Sequence, residues 1–130
     1  NFVRTMASLA ERGINPRVVD DQTGRLTFTS DIATGIRHLT DTTAPHGTYN
    51  LTSSGDPRSW ADIARQVFTL TGHDPTRVTG VSTEDYFSTA KEPIAPRPRN
   101  STLDLTKARN AGIPLTDATQ HLRHYLSPLA

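Results

Sequence analysis

The sequence predicts an α/β fold in which a short parallel or mixed sheet is covered by helices. Short segments of strand character alternate with longer segments whose apolar residues recur at helical spacing, as in sheets built with crossover helices. Glycines stand just past the helical segments, where a left-handed residue stops a helix. There is no internal repeat.

The elements follow in order. Phe2, Val3, Met6, Leu9 and Ala10 mark one face of a helix over residues 2–12, and Gly13 stops it. Pro16 leads into a strand at residues 17–21, which ends in Asp20-Asp21-Gln22-Thr23-Gly24. Thr29 is the expected N-cap of a second helix, with Asp31 favourable in its first turn and Ile32, Ala33, Ile36 and Leu39 facing inward. Pro45-His46-Gly47 is a turn, and Thr48-Tyr49-Asn50-Leu51-Thr52 alternates as a strand does.

Ser59 caps a third helix, with Asp62 three residues on. Its apolar stripe is Trp60, Ile63, Ala64, Val67 and Phe68, and Gly72 ends it. Residues 77–81 form another short strand, and residues 83–86 a helical turn. Pro93, Pro96 and Pro98 keep residues 92–98 extended. A short helix covers residues 105–111 and closes at Gly112. Thr116 is the expected cap of the last helix, which carries Ala118, Leu122, Tyr125 and Leu126.

At 130 residues the chain is one domain by length, able to bury roughly two-thirds of its unfolded surface. Fourteen Lys and Arg against 13 Asp and Glu leave a net charge of +1, which gives no broad field for nucleic acid or a membrane surface. The absence of Cys excludes disulfides, thiol catalysis and thiolate metal sites, and fits a reducing, cytoplasmic setting. No apolar run approaches the ~20 residues of a membrane span, and there is no signal peptide. The chain opens in helical pattern at Asn1-Phe2-Val3-Arg4-Thr5-Met6 without an initiator Met, so it is expected to be a fragment of a longer protein.

No catalytic set is complete. A dinucleotide fold needs a glycine-rich turn such as G-x-G-x-x-G, and none occurs. A Tyr with Lys four residues on would lower the phenol pKa for acid catalysis, but the offsets from Tyr49, Tyr86 and Tyr125 reach Ser53, Ala90 and Leu129. There is no P-loop and no H-E-x-x-H.

Three binding candidates stand out. Asp20, Asp21 and Gln22 either hydrogen-bond a sugar or base edge or serve as turn residues that cap local N–H groups. Arg97 and Arg99 flank Pro98; they are either a solvated basic loop or a stiffened pair of forks for phosphate oxygens. His121 and His124 share a helical face, read as a surface pair because no third ligand accompanies them. Trp60 reads as a core or hinge anchor.

These motifs, in this order and spacing, resemble the C-terminal, substrate-binding part of dTDP-4-dehydrorhamnose reductases, which are extended short-chain dehydrogenases. The family's Asn-Phe and following helix correspond to Asn1-Phe2. Its V-x-D-Q-x-G-x-P-T segment corresponds to residues 19–27, and its next helix opens as Asp31-Ile32-Ala33 does. Its G-x-Y-x-L-T strand corresponds to residues 47–52, its S-W-x-x-x-A helix to residues 59–64, and its R-P-x-x-S-x-L-D segment to residues 97–104.

The resemblance implies that residues 1–130 are a C-terminal substrate-binding domain, the small subdomain of the fold with its Rossmann half missing. The full protein would reduce dTDP-4-dehydro-L-rhamnose to dTDP-L-rhamnose with NADPH or NADH. The fragment would bind no cofactor, hold no catalytic residue and be inactive alone. Asn1 would begin the segment touching the sugar nucleotide, Gln22 would face the substrate, Arg97 would approach the diphosphate, and Asn100 and Ser101 would close that loop.

Leu26 replaces the family's usual Pro. Ser30 stands where some relatives carry a Glu linked to a metal ion, so no metal is expected. Residues 91–98 resemble the subset fused behind a 3,5-epimerase. Two other readings share the fold: another nucleotide-sugar epimerase or dehydratase, and a non-catalytic binding or regulatory subunit. A nucleic-acid partner and a membrane are not expected.

Overall fold

The computed structural model describes residues 1–90 and 94–127. Lys91, Glu92 and Pro93 of the proline-rich run, and Leu129, lie outside the described residues.

Helix α1 (Phe2–Glu11) opens on Asn1, whose side chain accepts from the Arg4 N–H, and buries Val3, Met6 and Ala10. Strand β1 (Arg17–Val19) buries Val18 and Val19, and the short β2 (Thr23–Gly24) follows it. Helix α2 (Thr29–Asp41) precedes β3 (Arg58–Ser59), which runs directly into α3 (Trp60–Leu70). A 3-10 turn at Pro75–Arg77, β4 (Thr79–Val81), α4 (Thr83–Phe87), α5 (Thr106–Asn110) and α6 (Ala118–Leu126) complete the chain.

The sheet is smaller than its sequence suggests, and it is split. β1 and β4 pair in parallel, with Val18 opposite Gly80, whereas β2 and β3 pair antiparallel, with Thr23 opposite Ser59. Residues 48–52, expected as a strand, lie in no ladder among the described residues.

Helix α3 is the centre of the core. Its Ala61, Ala64, Val67 and Phe68 cluster with Val3, Met6 and Ala10 of α1, Val18 of β1, Val78, and Leu122 and Leu126 of α6. The expected cap is present: Ser59 Oγ accepts from the Asp62 N–H at 3.0 Å. Gly72, at φ +77, follows the last turn. Each large side chain fully buried here contributes roughly 1.5–3 kcal/mol of transfer free energy.

Helix α2 departs from expectation in both cap and face. Its N-cap position is Phe28 with no side-chain bond, and Thr29 is the first helical residue. The inward residues are Asp31 and Gly35, while Ile32 and Ile36 are exposed, as is Ala33. Two local features turn the helix this way. Asp31 is buried because Ser53 Oγ donates to it at 2.6 Å and His121 Nδ1 lies 3.2 Å away. Gly35 lets Leu51 approach closely: a Cβ there would sit 2.9 Å from Leu51 Cδ2.

The same network corrects the histidine reading. His121 stacks on Phe28 with centroids 4.1 Å apart and reaches Ser30 Oγ through Nε2 at 3.1 Å, so it is a tie between α6 and α2. His124 alone is exposed. The α6 cap is Asp117, not Thr116: its carboxylate accepts from the Thr119 and Gln120 N–H groups.

Candidate functional site

The site grows from the end of β1. The Asp20 N–H still donates to the Val81 carbonyl at 2.9 Å, and the chain then leaves the sheet. Asp21 Oδ1 accepts from the Thr83 hydroxyl at 2.6 Å and from the Thr83 N–H at 3.0 Å. Gln22 Nε2 donates to that same hydroxyl at 2.8 Å. Thr83 is thus the post against which both loop side chains are set, and the Gln22 amide has a fixed orientation.

The Thr83 hydroxyl, and then its N–H, hold the Asp21 carboxyl below the ordinary value of 3.8. A carboxyl with a lowered folded-state pKa stabilises the fold above its unfolded value, and that contribution is lost as pH falls through the lowered value. The expected result is that acidification below 3.8 detaches the loop from α4. In an NMR titration the Thr83 amide should shift with a midpoint under 3.8, and Asp21→Asn should abolish the transition. A midpoint at or above that value would contradict the tie.

Beside this loop lies an open cavity of about 390 Å³ between α1, β1, α3 and α4, lined by Gln22 and Arg97 together. Arg17 adds a second cation to the lining. Aromatic rings supply the rest of the wall: Phe2 meets Trp60 edge-on at 5.0 Å, and Tyr86 meets Phe87 edge-on at 4.9 Å. Trp60 is 38% and Tyr86 47% exposed. Trp60 therefore does not belong to the buried stripe of α3; as the first helical residue it leans out over Phe2. Exposed aromatic faces with arginine forks suit a flat heterocycle carrying phosphate.

The other three expected residues lie elsewhere. Asn1 donates to the Tyr125 hydroxyl at 3.1 Å, beside Arg4 Nε at 2.9 Å from the same oxygen. It lines a neighbouring cavity of about 350 Å³ that shares Phe2 and Trp60 with the first. Asn100 and Ser101 bind backbone: Asn100 Oδ1 accepts from the Thr102 N–H, and both the N–H and the hydroxyl of Ser101 donate to the Thr23 carbonyl. The Thr23 N–H in turn donates to the Arg99 carbonyl at 2.8 Å. Gly24 permits this approach, since a Cβ there would sit 2.5 Å from Ser101 Oγ. Ser101 and the Arg99 carbonyl hold the Arg97 segment against β2, while the Asn100 side chain closes the loop on itself at Thr102.

Sequence reasoning missed Arg17, Tyr86 and Phe87 as lining. The only signal was an adjacent aromatic pair in an otherwise polar stretch. The parallel strand β1 leads into Asp20-Asp21-Gln22, not into the glycine turn that opens a helix in a dinucleotide-binding fold. Among the described residues no three His, Asp or Glu converge as metal ligands do. No described helix is long and apolar enough to cross a membrane.

A family model described as RmlD substrate binding domain matches residues 1–130. The chain belongs to that family. Among its relatives, the spore coat polysaccharide biosynthesis protein SpsK of Bacillus subtilis is 36% identical over 126 residues, covering 97% of this chain and 41% of SpsK. A dTDP-4-dehydrorhamnose reductase of Streptomyces griseus is 35% identical over 133 residues, covering 99% of this chain and 40% of the relative. The crystal structure of a dTDP-4-dehydrorhamnose reductase from Bacillus anthracis, in complex with NADP, superposes with a TM-score of 0.81 at 27% identity. That match covers 100% of this chain and 43% of the reductase. This RmlD-family chain thus has the fold of part of such a reductase, and spans about 40% of its curated relatives' length.

Proposed function

We propose that residues 1–130 are the C-terminal substrate-binding domain of a longer dTDP-4-dehydrorhamnose reductase, and that the Gln22–Arg97 cavity receives the dTDP-sugar. The carrying observation is that these two residues, 75 positions apart by their numbers, line one cavity with Arg17 and the Phe2, Trp60 and Tyr86 rings. In this reading the rings hold the base, the arginines neutralise the diphosphate, and Gln22, oriented by Thr83, hydrogen-bonds the sugar or base. Asn1 serves the adjoining cavity, Ser101 acts by holding the Arg97 segment against Thr23, and Asn100 acts by shaping that loop through the Thr102 N–H.

The proton donor and the NADPH or NADH site belong to the remainder of the polypeptide, and this chain alone has no reductase activity. The product of the whole enzyme is dTDP-L-rhamnose, made in the cytoplasm. The run at residues 91–98 supports a fused 3,5-epimerase, which the gene sequence upstream of Asn1 tests.

Titration with dTDP tests the cavity. Arg97→Ala is expected to weaken binding roughly 10- to 100-fold, the equivalent of about 1.5–3 kcal/mol for a charge-assisted contact. Arg97→Lys should recover part of the loss, since a point charge replaces the fork. An unchanged dissociation constant for Arg97→Ala would refute the assignment.

A further inference from the structure

We propose that the cavity adjoining the Gln22–Arg97 site is the hexose subsite for the sugar nucleotide, and that the Tyr125 hydroxyl is its specificity-determining donor. The inference rests on the proposed dTDP-sugar reading and deepens it. The two cavities meet at Phe2 and Trp60, which line both, so a ligand that outgrows the first passes into the second across those rings. The second cavity measures about 350 Å³, enough to hold a pyranose ring.

Hydrogen-bond accounting fixes the polarity of two hydroxyls on this wall. Asn1 Oδ1 accepts from the Arg4 N–H, which leaves the Asn1 amide nitrogen to donate to Tyr125. Arg4 Nε donates to the same phenolic oxygen at 2.9 Å. Neither nitrogen can take a proton in return. Tyr125 therefore faces the cavity as a donor whose own proton has no acceptor among the described residues. Thr27, in the same lining, is its complement. Thr52 Oγ1 lies 2.6 Å from Thr27 Oγ1 and 3.2 Å from the Leu26 carbonyl. A carbonyl only accepts, so the Thr52 proton goes to Leu26 and the Thr27 proton to Thr52. Thr27 is left with lone pairs to offer.

One committed donor and one committed acceptor beside aromatic rings suit a sugar. A sugar hydroxyl both accepts and donates, and the C–H face of its ring packs on an aromatic plane. Phe28 joins Phe2 and Trp60 to provide such planes. Phosphate suits this cavity less. Arg25, the cation of its lining, spends Nε on the Gly55 carbonyl at 2.7 Å and Nη1 on the Leu103 carbonyl at 3.0 Å, so no whole fork is left for two phosphate oxygens. Arg17 and Arg97 stand in the first cavity. A nucleoside diphosphate sugar carries its charge in the middle and a neutral ring at one end. That order matches an arginine-lined cavity opening onto one whose polar groups are hydroxyls.

Titration of the chain with dTDP and with dTDP-L-rhamnose tests the inference, the readout being the ratio of the two dissociation constants. The parent should bind dTDP-L-rhamnose more tightly than dTDP. Tyr125→Phe should weaken dTDP-L-rhamnose roughly 3- to 10-fold and leave dTDP as it was. Thr27→Val should lower the same ratio, whereas Thr27→Ser, which keeps the oxygen, should preserve it. A merely structural role would weaken both ligands alike and leave the ratio unmoved. A parent ratio of one, or a ratio untouched by either Tyr125→Phe or Thr27→Val, would overturn the proposal. If dTDP itself does not bind, the substrate reading falls and the subsite with it. If dTDP binds and Arg97→Ala weakens it, a ratio of one sinks the subsite alone.

Discussion

Phe68→Ala is expected to lower the chain's unfolding free energy by about 3–5 kcal/mol. Phe68 is fully buried in α3, at the meeting point of α1, β1 and α6. Its loss removes transfer free energy and leaves a void that a close-packed core does not refill. The ring is also the platform under the Arg77 guanidinium, 5.2 Å from its centroid. Arg77 holds the α1–β1 connection through the Ala10 and Ile14 carbonyls and Asn15 Oδ1. Phe68→Leu keeps most of the volume and should cost no more than about 1.5 kcal/mol. Urea unfolding of both variants checks this. Equal losses would mean that the cavity term is absent and that α3 is not the core.

Asp31→Ala is the second large effect, expected at about 2–3 kcal/mol. The carboxylate is the acceptor for Ser53, which is wholly buried, and the partner of His121, which stacks on Phe28. Alanine leaves both without their acceptor and removes a negative charge from the first turn of α2. Asp31→Asn preserves an acceptor for Ser53 and should recover more than half of the loss. Denaturant midpoints of the two variants decide it. An Asp31→Ala value within about 0.5 kcal/mol of the parent would show that the network does not hold α2 to α6.

These residues also mark where the sequence was readable. α3 was legible because three signals agree: the Ser59 cap, the apolar stripe and Gly72. Strands separated by helices led to the expectation of a parallel or mixed sheet, and the structure supplies which strands pair: β1 with β4 in parallel and β2 with β3 antiparallel. The face of α2 was not legible. Amphipathic reasoning assumes that apolar residues turn inward, and here a hydrogen-bonded Asp31 and a close-packed Gly35 are turned inward. The strand pattern at residues 48–52 is present, but a ladder needs a partner that pattern alone does not supply.

At the site, Gln22 and Arg97 were candidates from loop chemistry, and the fold brings them to one cavity. Trp60 was misplaced because a helix's first residue can leave the stripe its spacing implies. Tyr86 and Phe87 were missed because five residues of helix offer no periodicity to read.

Thr23 carries a further consequence. It faces Ser59 on one side and Asn100 on the other, and its N–H bond to Arg99 joins residues 76 apart in the chain. None of Thr23, Asn100 or Ser101 belongs to the main apolar cluster. The Arg97 side of the cavity therefore hangs from main-chain bonds outside the apolar cluster, whereas Arg17 stands on β1 beside it, the kind of arrangement in which local opening costs less than global unfolding. A cleft built this way can open and reclose as a local event, with the hydrophobic interior serving as its fixed frame.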